Sequence, residues 1–519
     1  MSLASAIGSL FRSAKSVTEN ASPAAPSVVD DSPRDGAYSG AGGSSFDAAT
    51  RSPRRAQVPG ASPSDFKHEF SGGSRLEIVK RSRYLMKNAG LPREVRDLNA
   101  LYGIGSEGLM PYPLVESRQW LKDSTEYFRQ WSERADITER FSFTEIQKLV
   151  SQAVDTDGEV FVVKTRNRLT GEPRLQLVET HRVGNFMDDD ASGDTDKWVD
   201  GIRLDPFGKP IAIKVLLDNG KTRNIPMGYV LHVFDPESPS AYRHPPTLTH
   251  SINHMLDEIE LLALEKHAVK DNADITRVLK TERGKLDASG DFSATGASDV
   301  EDDENSDPKA LQKIVGGKLV SIYTHESLDP YESKRPSPTF MGFLKHLNRD
   351  TVLGASPYEF AVSGEGVGSA AMRVALAKAQ RRFRNRTHLI TNRLIKGVWF
   401  YVIGTAIDKG ELPPIKNWSR ISVTPPRDVT MDAGRDSEAN RRDVLAGLKL
   451  PTTSYEEQGG DFLSSMERKG QLIKEVEAIA KRLGVEPEQL FDFSSPNQAA
   501  NRATSSGSAG TAPSGGKVK

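Results

Sequence analysis

The chain has 519 residues and 37 % apolar content, room for roughly three or four packed units with cores of their own. Its 69 Lys and Arg against 70 Asp and Glu leave a formal charge of -1, so attraction to a polyanion has to come from local segregation of charge. Zero cysteines exclude disulfides and thiolate metal sites, and no apolar run reaches the ~20 residues of a bilayer span, the nearest being Val398 to Ile403; with no signal-peptide core at the start, a soluble intracellular protein is predicted.

Residues 1–65 are dominated by Ser, Ala, Gly, Pro and Asp and are predicted to be disordered, apart from a short helix at Ala4 to Ala14. The tail 491–519 has the same composition and the same expectation. Folded sequence begins near Phe66. Charged and apolar residues alternate at helical spacing from Arg75 to Leu98, which predicts one helix, and Gly103, Gly105 and Gly108 predict a loop after it. A helix over Arg118 to Trp131 gathers Trp120, Tyr127, Phe128 and Trp131 near one side, read as core and not as a base-stacking platform. Phe143 to Val154 is the next helix. Asp157 and Gly158 signal a turn, and strands are predicted at Glu159 to Thr165, Leu175 to Glu179, Gly201 to Leu204, Ile211 to Leu217 and Tyr229 to Phe234.

After Pro245 and Pro246, Ile252, Met255, Leu256, Ile259, Leu262 and Ala263 recur at three and four, predicting a helix that runs past Val269 and carries Asp257, Glu258, Glu260 and Glu265 largely on its other faces. A polar lobe follows, with the acidic run Asp299 to Glu304 and a strand at Lys318 to Tyr323; Thr339 to Leu353 returns to helix. Beyond Pro413, Pro414, Pro425 and Pro426, helices are predicted at Arg435 to Leu448 and Phe462 to Leu483.

The segment Gly366 to Ile407 contains no Asp or Glu, yet it holds Arg373, Lys378, Arg381, Arg382, Arg384, Arg386, Arg393 and Lys396. An Ala, Leu and Arg run without Pro predicts one long helix, fed by a mobile loop of Ser363, Gly364, Glu365, Gly366, Val367 and Gly368. The charge points to contact with a polyanion; the plain alternative is a solvated helix face.

This succession resembles the portal proteins of tailed bacteriophages, and most closely the lambda-type portal family. The likeness is carried by Trp131, Leu149, Asp157, Gly158, Val160 and Phe161; by Leu353 and Gly354 followed by Pro357, Tyr358 and Glu359; and by Ala446, Gly447, Leu448, Thr452, Gly460 and Asp461. Where the family often has Asn-Ser-Ser-x-Arg, this chain has Gly368, Ser369, Ala370, Ala371, Met372 and Arg373. The resemblance implies an α+β portal fold assembled as a ring, typically a dodecamer, at one capsid vertex of the virion. It divides the chain into an α/β wing (66–246), a stem helix (247–280), a clip (281–338), a second stem helix (339–357), a tunnel loop (358–370), a long helix returning to the wing (371–429) and a helical crown (430–490). It also implies double-stranded DNA in the channel, with terminase large subunit, head-tail adaptor, major capsid and scaffolding proteins as partners and no membrane. The stem acids Asp257, Glu258, Glu260 and Glu265 and the eight cations would be channel-wall or intersubunit charges.

No catalytic residue, metal or cofactor is expected. The Gly loop lacks the Lys of a phosphate cradle and the GxGxxG spacing. Asp188, Asp190, Ser192, Gly193 and Asp194 look like the start of a calcium loop, but Val199 stands where a bidentate Glu is needed. His250 and His254 lie four apart without a general base between them, and Thr180, His181, Ser238 and Ser240 give no nucleophile elbow. The rival reading is a nucleic-acid-processing enzyme that uses the cationic helix as a DNA clamp.

Overall fold

The computed structural model describes residues 63–184, 197–274, 277–281, 319–323, 338–355, 368–428, 433–457, 460 and 462–490. The tunnel-loop residues Ser363 to Val367, the acidic loop Asp188 to Asp194, the run Asp299 to Glu304, Pro357 to Glu359, and nearly all of both tails lie outside the described residues.

Two helices stand where one was predicted: α1 (Gly72–Asn88), capped by Ser71, whose hydroxyl accepts from the Ser74 amide, and α2 (Gly90–Ile104). The break at the extended residue Ala89 follows from Pro92, which lacks an N–H and in a continuous helix would collide with the carbonyl of Asn88. Gly103 lies inside α2, not in a loop. A Cβ there would meet Arg386 Cγ at 2.8 Å, so the glycine lets the later long helix approach closely. Helix α3 (Arg118–Ser132) and helix α4 (Phe143–Asp157) match their predicted positions, the second with a full capping box between Ser142 and Glu145.

Two antiparallel sheets follow. The first has the order β3-β2-β8, from β2 (Glu159–Arg166), β3 (Pro173–Glu179) and β8 (Val230–Phe234). The second is β4-β5-β6-β7, from β4 (Lys197–Val199), β5 (Ile202–Leu204), β6 (Pro210–Leu216) and β7 (Thr222–Pro226). Phe161, Val163 and Val178 of the first pack with Ile202, Ile213 and Val215 of the second. Strand β7 and the small pair β1 (Pro111–Pro113) with β11 (Ile421–Val423) were not legible, because proline and polar residues hide the period-two pattern.

A one-turn 3-10 helix leads into α5 (Ile252–Asp274). The predicted stem helix to residue 280 is too long: α5 stops at Asp274, and Arg277–Thr281 forms β9, which pairs in parallel with β10 (Leu319–Tyr323). Helix α6 (Pro338–Val352) runs back antiparallel along α5, ending short of the predicted 357, with the Ser251 hydroxyl donating to Thr351 O and the Asn348 side chain bonded to Glu258. The long cationic helix is α7 (Ser369–Ile390), a π-helical segment over Thr391–Ile395, and α8 (Lys396–Asp408). The chain closes with α9 (Ala433–Leu445), α10 (Pro451–Glu456), α11 (Phe462–Leu483) and α12 (Pro487–Leu490).

The main core joins α2, α3, α4, β2 and α8 through Trp120, Phe128, Trp131, Phe143, Ile146 and Trp399. The three buried indoles each find an acceptor, Trp120 at Pro413 O (2.8 Å), Trp131 at Pro173 O (2.7 Å) and Trp399 at Trp418 O (3.0 Å). A second core of Leu85, Met86, Val95, Leu248, Ile252, Met255 and Val352 seats the base of α5 and α6 on α1 and α2.

Candidate functional site at the junction of sheet and helices

Around Gly158, where α4 turns into β2, the sequence places three carboxylates at alternate positions: Asp155, Asp157 and Glu159. All three are buried. Gly158 adopts φ +87, and a Cβ there would lie 2.1 Å from His244 O, so the turn admits glycine only because another chain segment crosses directly over it. A buried carboxylate needs a cation or donors. Each of the three takes an arginine from a different part of the chain.

Asp157 accepts from Arg83 of α1 at 2.8 and 2.6 Å, and Arg83 also reaches Glu179 at 2.9 Å. Asp155 pairs with Arg386 of α7 and also accepts from Thr247 Oγ1 at 2.8 Å and Asn99 Nδ2 at 3.2 Å. Glu159, fully buried, accepts from Arg243 Nε at 2.6 Å, Thr180 Oγ1 at 2.7 Å and His232 Nε2 at 2.8 Å. Arg243 further donates to the carbonyls of Thr180, Val183 and Asp200, and Arg75 bonds Asp200 and the same Thr180 and Val183 carbonyls. Two guanidiniums thereby stitch the edges of both sheets together.

Burial pushes the Glu159 carboxyl up, but the Arg243 guanidinium and the His232 and Thr180 hydrogen bonds outweigh it and hold the group well below the usual carboxylate range. Burial keeps His232 below its ordinary value against the pull of Glu159, so its neutral ring donates through Nε2. His244 is held down to about 3, by burial first. Its ring stacks on Phe234 at 3.8 Å, and neither ring nitrogen has a hydrogen-bond partner. Arg393 lies 4.2 Å over the same Phe234 ring. Glu159, Asp155 and Arg243 lie inside the cluster, while Arg83 and Glu179 reach its solvent edge.

The eight cations of the long helix therefore divide. Arg386 is buried on Asp155 and Arg393 is half-buried on Phe234, both within the chain. Arg384 is exposed and paired with Asp428, while Lys396 donates to Asn392 at 2.8 Å. Arg373, Lys378, Arg381 and Arg382 stand on the exposed side of α7. Among the stem acids, Asp257 and Glu260 are exposed and Glu258 and Glu265 half-buried, with burial raising the Glu258 carboxyl and Asn348 opposing. His250 and His254 are both exposed, and Gly368 caps the start of α7. The carboxylate triplet was missed by sequence reasoning. Its signal was three acids flanked by Val150, Val154 and the Val160 to Val163 run, where a solvated acid has no place.

Among the described residues no helix is long and apolar enough to cross a membrane. A search of curated proteins gave no match. Solved structures to which the chain is similar include the neck of a native GTA particle computed with C12 symmetry, at 13 % identity over 72 % of this chain and 91 % of that chain with a TM-score of 0.39. The virion of a native gene transfer agent (GTA) particle matches at 12 % identity, 72 % and 88 % coverage and a TM-score of 0.37. The neck of an empty GTA particle computed with C6 symmetry matches at 12 % identity, 74 % and 93 % coverage and a TM-score of 0.39. The model of the family described as phage portal protein, lambda family, matches residues 54–386, a span that takes in both sheets, α5, α6 and α7 as far as Arg386 of the junction. The chain belongs to the lambda family of phage portal proteins.

Proposed function

We propose that this chain is the subunit of a ring, typically of twelve copies, set at one capsid vertex of the virion, through whose axis double-stranded DNA is packaged and later ejected. In this reading the two sheets and α1–α4 form the wing, α5 and α6 the stem, β9, β10 and the residues between them the clip, 358–370 the tunnel loop and 430–490 the crown. The clip would dock the terminase large subunit and then the head-tail adaptor, with coat and scaffolding proteins around the wing. ATP turnover would belong to the terminase.

The observation that carries this reading is the open apolar surface of a portal-family chain. Leu264 and Met341 on the α5–α6 pair and Leu445, Leu448 and Leu450 at the end of α9 and after it are exposed, as are Leu169 and Phe207 in loops of the sheets. Apolar side chains left open outside the cores fit a subunit covered by its neighbours. The charge pattern is compatible with a conduit. DNA carries one charge per roughly 1.7 Å, and a lumen lined by every Lys and Arg of the long helix would hold it fast. Arg386 and Arg393 are engaged inside the protomer, and neighbouring subunits are the expected partners for most of the rest.

Native mass spectrometry with electron micrographs of the purified full chain tests the reading. A particle near twelve times 56.9 kDa with an axial hole is expected. A small species with nuclease or ATPase activity would overturn it. Within such a ring, replacing Gly364 and Gly366 by Ala is expected to impair packaging while assembly proceeds.

A further inference from the structure

Residues 243–247 lead from the sheets to α5, and the long helix meets two groups that also contact this short link, Asp155 and Phe234. At the first, Asp155 Oδ1 accepts from both Arg386 of α7 and Thr247 Oγ1, and Asp155 O accepts from the Thr247 amide at 3.3 Å. At the second, Arg393 of the π-helical segment lies over Phe234, whose ring stacks on His244 at 3.8 Å with the planes 10° apart. The two anchor points of the long helix thus both border the link. Beyond the link, the base of α5 is fixed to the end of α6 through Ser251 and Thr351 and through the shared core of Ile252, Met255 and Val352.

We propose that Asp155 is a positioning residue that couples the base of the α5–α6 pair to α7, so that a displacement of one is passed to the other and along α7 to its first turn at Ser369. The reading of that turn as the mount of a tunnel loop rests on the proposed function; the mechanical coupling does not. The chemistry suits the role. One carboxylate oxygen accepts from a guanidinium on one element and a hydroxyl on another, so a shift of either element relative to the other has to stretch one of the two bonds. Asn99 of α2 holds the second oxygen and keeps the carboxylate from turning to follow.

Hydrogen exchange on the full-length protein tests the coupling with Thr247→Val, Arg386→Lys, Asp155→Asn and the Thr247→Val/Asp155→Asn double variant. Thr247→Val is expected to raise exchange about threefold to tenfold, the equivalent of one lost hydrogen bond, both at 247–255 and at the remote 369–380, with β2 and β3 unchanged. Arg386→Lys should act reciprocally on 247–255. Asp155→Asn keeps one accepting oxygen but loses the charge, so both regions should loosen, and adding Thr247→Val should loosen them less than it does in the wild type. Effects confined to the substituted element, or additive effects in the double variant, overturn the proposal. If Asp155→Asn does not fold, the two reciprocal single variants decide it alone. Native mass on the same samples separates the two ideas: a wild-type chain that forms no ring removes the portal reading, whereas normal rings without cross-talk remove only the coupling.

Discussion

The junction around Gly158 and the α5–α6 pair differ in where they find their partners. At the junction, three carboxylates and the arginines that meet them are provided by one chain, and apart from the partly exposed Arg83 the charged groups are as enclosed as the valines beside them. On the α5–α6 pair and in α9–α11, apolar side chains such as Leu264, Met341 and Leu448 remain open. The first region can hold its shape as a single protomer. The second leaves apolar surface that the proposed ring would cover. On that proposal the protomer would keep a frame set before assembly and leave the stability of its outer helices to the assembly.

The largest test of that division is Glu159→Gln. Gln fills the same space but removes the charge that compensates Arg243, and breaking a buried pair by deleting one partner costs about 3–5 kcal/mol. Urea unfolding followed by tryptophan fluorescence should show the loss, because Trp131 and Trp399 share the core that borders β2. A change below ~1 kcal/mol would mean that the junction is not what holds the frame. Gly158→Ala should come next, at about 2–3 kcal/mol, from the positive φ together with the crossing carbonyl of His244. Relief of that loss by shortening any other side chain would contradict the backbone origin assigned to it.

Acid should find the same region. His244 has a folded value of about 3 against an ordinary 6.5, so as pH falls below 6.5 the unfolded chain takes up the proton first and stability is lost down to about pH 3. Glu159, also depressed, loses its contribution in the same direction once pH drops below the ordinary carboxylate value of 4.5. The His244 share is about 1.4 kcal/mol per pH unit. His244→Phe keeps the stack on Phe234, removes two unpartnered ring nitrogens and should flatten the slope between pH 6 and 5 by about one proton, with a gain near 1 kcal/mol at neutral pH. An unchanged slope in that variant would assign the acid sensitivity elsewhere.

The two regions also differ in how well the sequence displays them. Helices α3, α4, α5, α6 and α11 and strands β2, β3, β5, β6 and β8 were readable, because each carries a regular apolar period beside a cap, a Gly or a Pro. The break at Ala89 was hidden inside a pattern that remains helical on both sides, and β9 was absorbed into the helix before it because Arg277, Val278 and Leu279 continue its composition. The cationic helix was legible as a rod. The division of its charges was not: Arg386 and Arg384 look alike in sequence, yet one meets Asp155 in the interior and the other meets Asp428 at the surface. That choice depends on an acid 231 residues away, and no local pattern reports it.

The smallest effect on an isolated protomer belongs to the open faces. Leu264 is 57 % exposed and Leu448 81 %, so Leu264→Ser and Leu448→Ser should each change unfolding free energy by no more than about 0.5 kcal/mol. In an assembly the same changes remove apolar contact from every interface at once. A ring multiplies a small local loss by the number of subunits, so ~1 kcal/mol per contact, roughly a fivefold factor for one, sums to about 12 kcal/mol around a ring of twelve. Native mass should therefore show rings failing for variants whose melting curves overlay the parent. A variant that melts early would place its leucine in the protomer's own packing, and one that forms rings as readily as the parent would make it an ordinary exposed leucine; either result removes the contrast between a self-contained frame and neighbour-dependent helices.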